Sequence, residues 1–171
     1  MTQLDAQILK SAKIFQDMPE DMLEKVAAIG EIVVREEDTV LFWQKEKLEY
    51  FYLVLEGEIA LRLEPPIAGT EPMHLGVVSP GYSCGISTFI PGTRSSATGV
   101  CTQQCRLIRI EGSRMLDLFE SDGKLGYTFM IKVMRIFKTR LNQRTRLFLR
   151  SLERHPEIQA AFQDLGHMSY G

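Results

Sequence analysis

Between Ser83 and Thr98 the chain gathers seven hydroxyl side chains, Ser83, Ser87, Thr88, Thr93, Ser95, Ser96 and Thr98, around Gly85, Ile86, Arg94 and Ala97. Hydroxyls and backbone N–H groups together can hold a phosphate or a carboxylate, and an arginine can neutralise it. The same residue types also serve as turn and cap residues at a surface, bound only to their own backbone. Catalysis has less to draw on. His74, His155 and His167 are scattered, with no neighbouring nucleophile, base and orienting acid, and no helical pair of ligands spaced for a metal. The chain is therefore read as non-enzymatic, with no catalytic residue and no metal site. Cys84, Cys101 and Cys105 match no zinc spacing, and Cys101 and Cys105 flank one turn, two thiols being a weak match to a four-thiolate cluster.

The elements that must position these residues follow from periodicity. Hydrophobic residues make up 44% and charged residues 25%, the usage of an ordinary globular domain. The first thirty residues read as short helices: LDAQILKSAKIF is amphipathic, and Pro19 opens PEDMLEKVAAIG with acids in its first turn. From Glu31 the period becomes two, with strands expected at Ile32 to Arg35, Val40 to Trp43, Tyr50 to Leu55, Ile59 to Leu63, Met73 to Val78, Ala97 to Cys101 and Arg106 to Ile110. Turn residues such as Glu56-Gly57-Glu58 and Ser79-Pro80-Gly81 separate them at short intervals, the mark of an antiparallel barrel or sandwich. After Glu111 the helical period returns in SRMLDLFE and in a long helix from about Gly123 to Arg154, ended by His155-Pro156.

That long helix carries two apolar tracks. Leu125, Phe129, Val133 and Ile136 are expected to cover the open end of the barrel; Tyr127, Met130, Met134, Phe137, Leu141, Arg144 and Phe148 form a heptad seam suited to homodimerisation. It also concentrates charge. Nine Lys or Arg stand from Lys124 to Arg154 against Glu153 alone, about +8 in a chain whose formal net charge is -2. This basic face could touch nucleic acid non-specifically or dock on an acidic protein, or could simply be solvated.

Order and spacing of these motifs resemble the cyclic-nucleotide-binding domain superfamily, over roughly residues 4 to 152. VLFWQKEKLEYFYLVLEGEIALRL is similar to that family's second to fourth strands, with Phe42, Tyr52, Gly57 and Ile59 on the usual pattern and Lys45 where a glycine is typical. LGVVSPGYSCGISTFIPGTRSSATGVCTQQCRLIRI resembles its phosphate-binding cassette and last two strands. The resemblance implies a mainly β fold: an antiparallel β-roll of the jelly-roll type with N-terminal helices and a long C-terminal helix. It also implies a pocket in which a glutamate holds the ribose 2′-hydroxyl and an arginine holds the phosphate. Here Ile86 stands in the glutamate's place, and Ser95 falls at the arginine's position with Arg94 one residue earlier. One residue of slip in an extended segment reverses its face, so Arg94 is expected to point away from the pocket unless the loop at Pro91-Gly92 is one residue shorter. Gly85-Ile86-Ser87-Thr88-Phe89-Ile90-Pro91 and Leu125-Gly126-Tyr127 are similar to a subset of bacterial single-domain relatives.

The expected organisation is helices over 1–30, the β-roll ligand-binding domain over 31–111, a hinge helix and dimerisation helix over 112–154, and a short tail over 155–171. The expected ligand residues are Gly85, Ile86, Ser87, Thr88, Arg94, Ser95, Ser96 and Ala97, binding cAMP, cGMP or another small anion; the alternative is a protein-interaction or dimerisation scaffold that has lost its ligand, and the resemblance, whose superfamily includes iron–sulfur and haem sensors, implies as a second alternative a redox or haem sensor at Cys101 and Cys105. Too few residues follow Arg154 for a helix-turn-helix reading head, so sequence-specific DNA binding is not expected. The N-terminus lacks a basic start and apolar core, and no stretch approaches the roughly 18 apolar residues of a membrane span, so a cytoplasmic location is expected.

Overall fold

A computed structural model describes residues 4–65, 67 and 70–153. Helices α1 (Ala6–Lys10) and α2 (Glu20–Ala27) come first. The Asp5 carboxylate accepts the Ile8 N–H at 2.8 Å and so caps α1, while Glu20 and Asp21 sit in the first turn of α2, where the helix dipole favours negative charge. Eight strands follow: β1 (Gly30–Arg35), β2 (Val40–Phe42), β3 (Tyr50–Glu56), β4 (Ile59–Leu63), β5 (Met73–Val78), β6 (Ser83–Cys84), β7 (Thr98–Cys101) and β8 (Cys105–Glu111). A 3₁₀ turn, Ile86–Phe89, lies between β6 and β7, and helices α3 (Gly112–Ser121) and α4 (Gly123–Glu153) close the order. Seven strands begin and end within two residues of the positions that periodicity indicates. The eighth, β6, has only two residues and is too short to show a period.

The strands pair antiparallel in two sheets, in the orders β1-β8-β3-β6 and β2-β7-β4-β5. This is the β-roll. Between the sheets lies a core of Tyr52, Val54, Ile59, Val78, Cys84, Cys101, Cys105 and Leu107. The opposite face of the first sheet is equally buried. Phe51 pairs with Ile110 and Leu53 with Ile108, all fully buried, and the Phe51 ring meets Phe129 of α4 edge-on at 6.1 Å. A strand covered on both faces has no polar side to present, which is why YFYLVL and RLIRI read as near-continuous apolar runs.

Two compact units divide the chain, Met1–Ile131 and Lys132–Gly171. In the first, the start of α4 packs on the helix-facing side of the first sheet. Phe129 stands at 5.6 Å from the Phe15 ring, 5.5 Å from Phe89 and 5.2 Å from Phe119, and Leu125 is fully buried. This corrects the expectation that these residues cap the open end of the barrel. Asp122 fixes the α3–α4 junction: its carboxylate accepts the Leu125 N–H at 3.0 Å and the Lys25 ammonium at 2.6 Å. The Lys25 hydrogen bond, then the backbone bond from Leu125, holds that carboxyl below its ordinary value. In the second unit α4 continues as unbroken helix to Glu153, and the tail expected over 155–171, with Arg154, lies outside the described residues.

Candidate functional site

The site is built on a sharp turn after β6. Gly85 adopts φ +85°, and a Cβ there would stand 2.7 Å from the Tyr50 carbonyl oxygen, so the chain can reverse tightly against β3 only with glycine at this position. The 3₁₀ turn that follows closes through the Thr88 N–H, which donates to the Gly85 carbonyl at 3.0 Å. Ile86 directs an apolar side chain into the interior and is buried. It supplies no acceptor for a sugar hydroxyl.

Most of the crowded hydroxyls are engaged by backbone. Thr88 Oγ1 donates to the Leu48 carbonyl at 3.2 Å, and Thr93 Oγ1 lies 2.9 Å from the Ile90 carbonyl. Ser95 is buried, donating to the Ala97 carbonyl at 2.6 Å, and Thr98 Oγ1 accepts the Gln44 N–H at 3.1 Å. Backbone bonds between Ser95 and the β2–β3 loop, to Glu46 at 2.8 Å and from Lys45 at 2.7 Å, fix this register. Arg94 is consequently on the exposed side, with Nη1 donating to the Lys45 carbonyl at 3.0 Å.

A cavity of about 730 Å³ opens between this segment, the start of β3 and α3. Ser87, Thr88 and Arg94 line it; Gly85, Ile86, Ser95, Ser96 and Ala97 do not. Thr93 and Ile90-Pro91-Gly92 of the cassette join Ser87, Thr88 and Arg94, and two groups that sequence reasoning did not single out complete the wall: Lys47, Leu48, Glu49 and Tyr50 from the loop into β3, and Glu111, Ser113 and Leu116 at α3. Lys47 and Arg94 bring positive charge to this wall, and Glu49 and Glu111 negative charge. Nothing in the spacing of Lys47 or Glu111 signals a shared wall, because sheet pairing alone brings them to Ser87. A smaller cavity of about 290 Å³ lies on the aromatic side of the same loop, against Phe42, Trp43, Tyr50 and Tyr52.

The family model for the cyclic nucleotide-binding domain matches residues 32–122, which is more than half of the chain. The protein belongs to the cyclic-nucleotide-binding domain family. No curated protein matches it. Among solved structures, a protein from Geobacter metallireducens GS-15 named for cyclic-nucleotide binding superposes with a TM-score of 0.69 at 24% identity, covering 80% of this chain and 97% of that one. A cyclic nucleotide-binding domain from Methylobacillus flagellatus KT gives a TM-score of 0.67 at 19% identity, over 89% and 80% of the two chains. The sensor domain of the transcriptional regulator DNR from Pseudomonas aeruginosa gives 0.63 at 20% identity, over 81% and 89%. At these identities the likeness is one of fold.

Within this cyclic-nucleotide-binding fold the cassette is tied to the helices that follow. Phe89 packs at 5.1 Å from Phe51, 5.9 Å from Phe119 of α3 and 5.5 Å from Phe129 of α4. Thr88 presses on Gly112 so closely that a Cβ there would lie 2.1 Å from Thr88 Oγ1. The 3₁₀ turn thus packs directly on α3 and α4.

The cysteines sit deeper. Cys101 and Cys105 end β7 and begin β8, both fully buried, and Cys105 Sγ donates to the Glu58 carbonyl at 3.2 Å. Burial first, then the Cys105 thiol, pushes the Cys101 thiol up to about 12 from 9.0, and burial likewise pushes the Tyr52 phenol to about 12 from 10.0. A thiol so far from ionising is a poor nucleophile and a poor metal ligand. Both groups remain protonated in the folded chain while the unfolded chain loses its protons above pH 9 and 10. Stability is therefore expected to be intact below pH 9 and to fall as the pH rises toward 12, through Cys101 first and through Tyr52 above pH 10. Urea melts from pH 7 to 11 measure this, and a midpoint flat to pH 11 contradicts it.

Proposed function

We propose that this protein is a non-enzymatic regulatory module that senses a small anionic ligand, cAMP, cGMP or another anion, in the cavity beside Ser87, Thr88 and Arg94. The observation that carries this reading is the shared wall: the cavity is lined both by the 3₁₀ segment and by Ser113 and Leu116 of α3. Its volume falls in the range of small-ligand sites. A molecule bound there contacts both elements at once, so it favours one position of α3 over another by its differential affinity for the two. Phe89 and Phe129 then carry the shift to α4.

Family membership favours a cyclic nucleotide, and the regulatory domain of the Toxoplasma gondii kinase, solved with cAMP, shares the fold at a TM-score of 0.56. Two observations favour the other reading, a scaffold without ligand: Ile86 fills the place of the ribose-binding acid, and Arg94 is already bonded to the Lys45 carbonyl. Thermal melts of the full chain with cAMP, cGMP and inorganic phosphate, each to 1 mM, decide between them. We expect the midpoint to rise with at least one of the three, and the rise to be lost in Arg94→Ala; three flat titrations leave the scaffold.

We further propose that two copies pair through the seam on α4. Tyr127, Met130, Met134, Phe137, Leu141 and Phe148 are all exposed on the isolated chain, a row of large apolar groups that a partner helix would cover. Sedimentation equilibrium is expected to give a dimer that Leu141→Lys shifts to monomer at least tenfold more readily. A wild-type monomer at 100 μM removes this reading. Among the described residues no helix is long and apolar enough to cross a membrane.

A further inference from the structure

Five arginines stand between Gly30 and Glu111, and four of them have acceptors. Arg106 pairs with Glu56 at 3.0 Å and Arg109 with Glu31 at 2.6 Å, while Arg35 donates to the Val34 carbonyl at 2.9 Å and Arg94 to that of Lys45 at 3.0 Å. Arg62 of β4 differs. Its Nε is closed off from solvent and meets no acceptor, the one side-chain nitrogen or oxygen in that condition among the described residues. No ion pair among those residues reaches it, although the exposed Glu64 stands only two residues on. A buried N–H left unbonded is unfavourable, more so on a cation, so this position calls for an acceptor supplied from outside the chain.

Strand register shows what surrounds that acceptor. Leu61 packs on the core between the sheets, so Arg62, next in the strand, is carried on the outer face of the second sheet with Ala60. Directly opposite residues of neighbouring strands share a face, and Arg62 lies opposite Thr98 of β7 and His74 of β5. A bulge that passes over Leu75 brings His74 into this row. Thr98 is 1% exposed, and its Oγ1 accepts the Gln44 N–H at 3.1 Å, which keeps the hydroxyl proton for a second partner. The row of Arg62, Thr98 and His74 therefore offers three donors and no acid. In the next row on the same face Ala60 lies between Val100 and Val77, and Val77 is half exposed. One guanidinium supplies a single charge in a planar fork, which a carboxylate matches in charge and in shape, whereas a phosphate dianion calls for further fixed cations. The apolar row beside it suits an aliphatic body.

We propose that Arg62, with Thr98 and His74, binds a short aliphatic carboxylate on the outer face of the second sheet. The carboxylate oxygens accept from the Arg62 guanidinium and the Thr98 hydroxyl, and the aliphatic part rests on Val77. None of the three residues lines the cavity beside Ser87 and Arg94, so the site is separate from the sensor reading and does not depend on it.

Proton–nitrogen correlation spectra of the full chain test the assignment, with the Arg62 Nε–H resonance identified by its loss in Arg62→Met and Arg62→Lys. Sodium isobutyrate, added to 20 mM at constant ionic strength, is expected to move that resonance and the Thr98 amide along a saturating curve, and isobutyramide, which has the same shape without the charge, to leave both in place. Arg62→Lys keeps the charge but not the fork, and is expected to weaken isobutyrate binding about fivefold or more as read at the Thr98 amide. Arg94→Ala is expected to leave it within about twofold, since Arg94 takes no part. An Arg62 resonance that isobutyrate does not move overturns the proposal, as does one that chloride or phosphate moves equally far. Loss of the response in Arg94→Ala would place the ligand in the cassette cavity instead, supporting the sensor reading and removing this one. Tighter binding of acetyl-Val-Asp-Val-amide than of isobutyrate would overturn a free carboxylate in favour of a side chain carried by a partner protein.

Discussion

Replacing Phe129 with alanine is expected to destabilise the first unit by about 3–5 kcal/mol, the largest effect of any single truncation proposed here. Phe129 is fully buried and its ring lies within 6.1 Å of those of Phe15, Phe51, Phe89 and Phe119. It therefore joins the N-terminal helical region, β3, the 3₁₀ turn, α3 and α4 in one cluster. Deleting the ring removes apolar burial and leaves a void that four rigid neighbours cannot close, because aromatic rings tilt but do not lengthen. Denaturant melts of Phe129→Ala and Phe129→Leu separate the two contributions, with the leucine variant recovering more than half of the loss. A midpoint within 0.5 kcal/mol of wild type for Phe129→Ala would show that the cluster is not a structural hub. The same variant bears on the sensor reading: ligand should still bind at Ser87 and Arg94 while its effect on α4 disappears.

Gly85→Ala carries the second large effect, about 2 kcal/mol or more, for a different reason. The left-handed φ of +85° strains any residue with a Cβ, and the added carbon would stand 2.7 Å from the Tyr50 carbonyl oxygen at the start of β3. Tyr50 is paired with Glu111 of β8, so the oxygen moves only together with the strand. We expect the turn to move instead, so that Gly85→Ala both lowers stability and, where a ligand is found, weakens it. Gly92→Ala serves as the comparison, since its φ of +75° is similar but its Cβ would meet nothing within 4 Å. Equal losses at the two positions, read from urea melts, would remove the steric part of the explanation and leave only the dihedral strain.

These two effects differ in how visible they are before folding. Gly85 stands out in the sequence because a glycine after β6 followed by hydroxyls matches a cassette motif. Phe129 has only its place in an i, i+4 track, which tells that it is buried but not against what. Such a track is expected to close the barrel's end, whereas Phe129 packs instead against Phe51 on the outer face of the first sheet. Helical periodicity specifies which face of α4 is apolar; it carries no term for the other surface.

The cassette shows the same division more sharply. From the letters alone one can count from Gly85 to Arg94 and conclude that Arg94 is one residue out of step with the family's phosphate-binding arginine. What places Arg94 is the pairing of Ser95 with Glu46 and Lys45, residues some fifty positions earlier, which holds the segment in register and leaves Arg94 bonded to the Lys45 carbonyl. Likewise Lys47, Glu111 and Ser113 give no signal as ligand-facing residues until β3, β8 and α3 assemble.

The sequence by itself determined the strand and helix periods, the class of fold, the family and the charge asymmetry of α4, because each is a property of residues near one another along the chain. Only the tertiary structure decided which residues share a cavity, what covers Phe51, and where Arg94 and the buried thiols lie. Those depend on register between distant segments, and register is set by the combined packing of both sheets rather than by any local pattern.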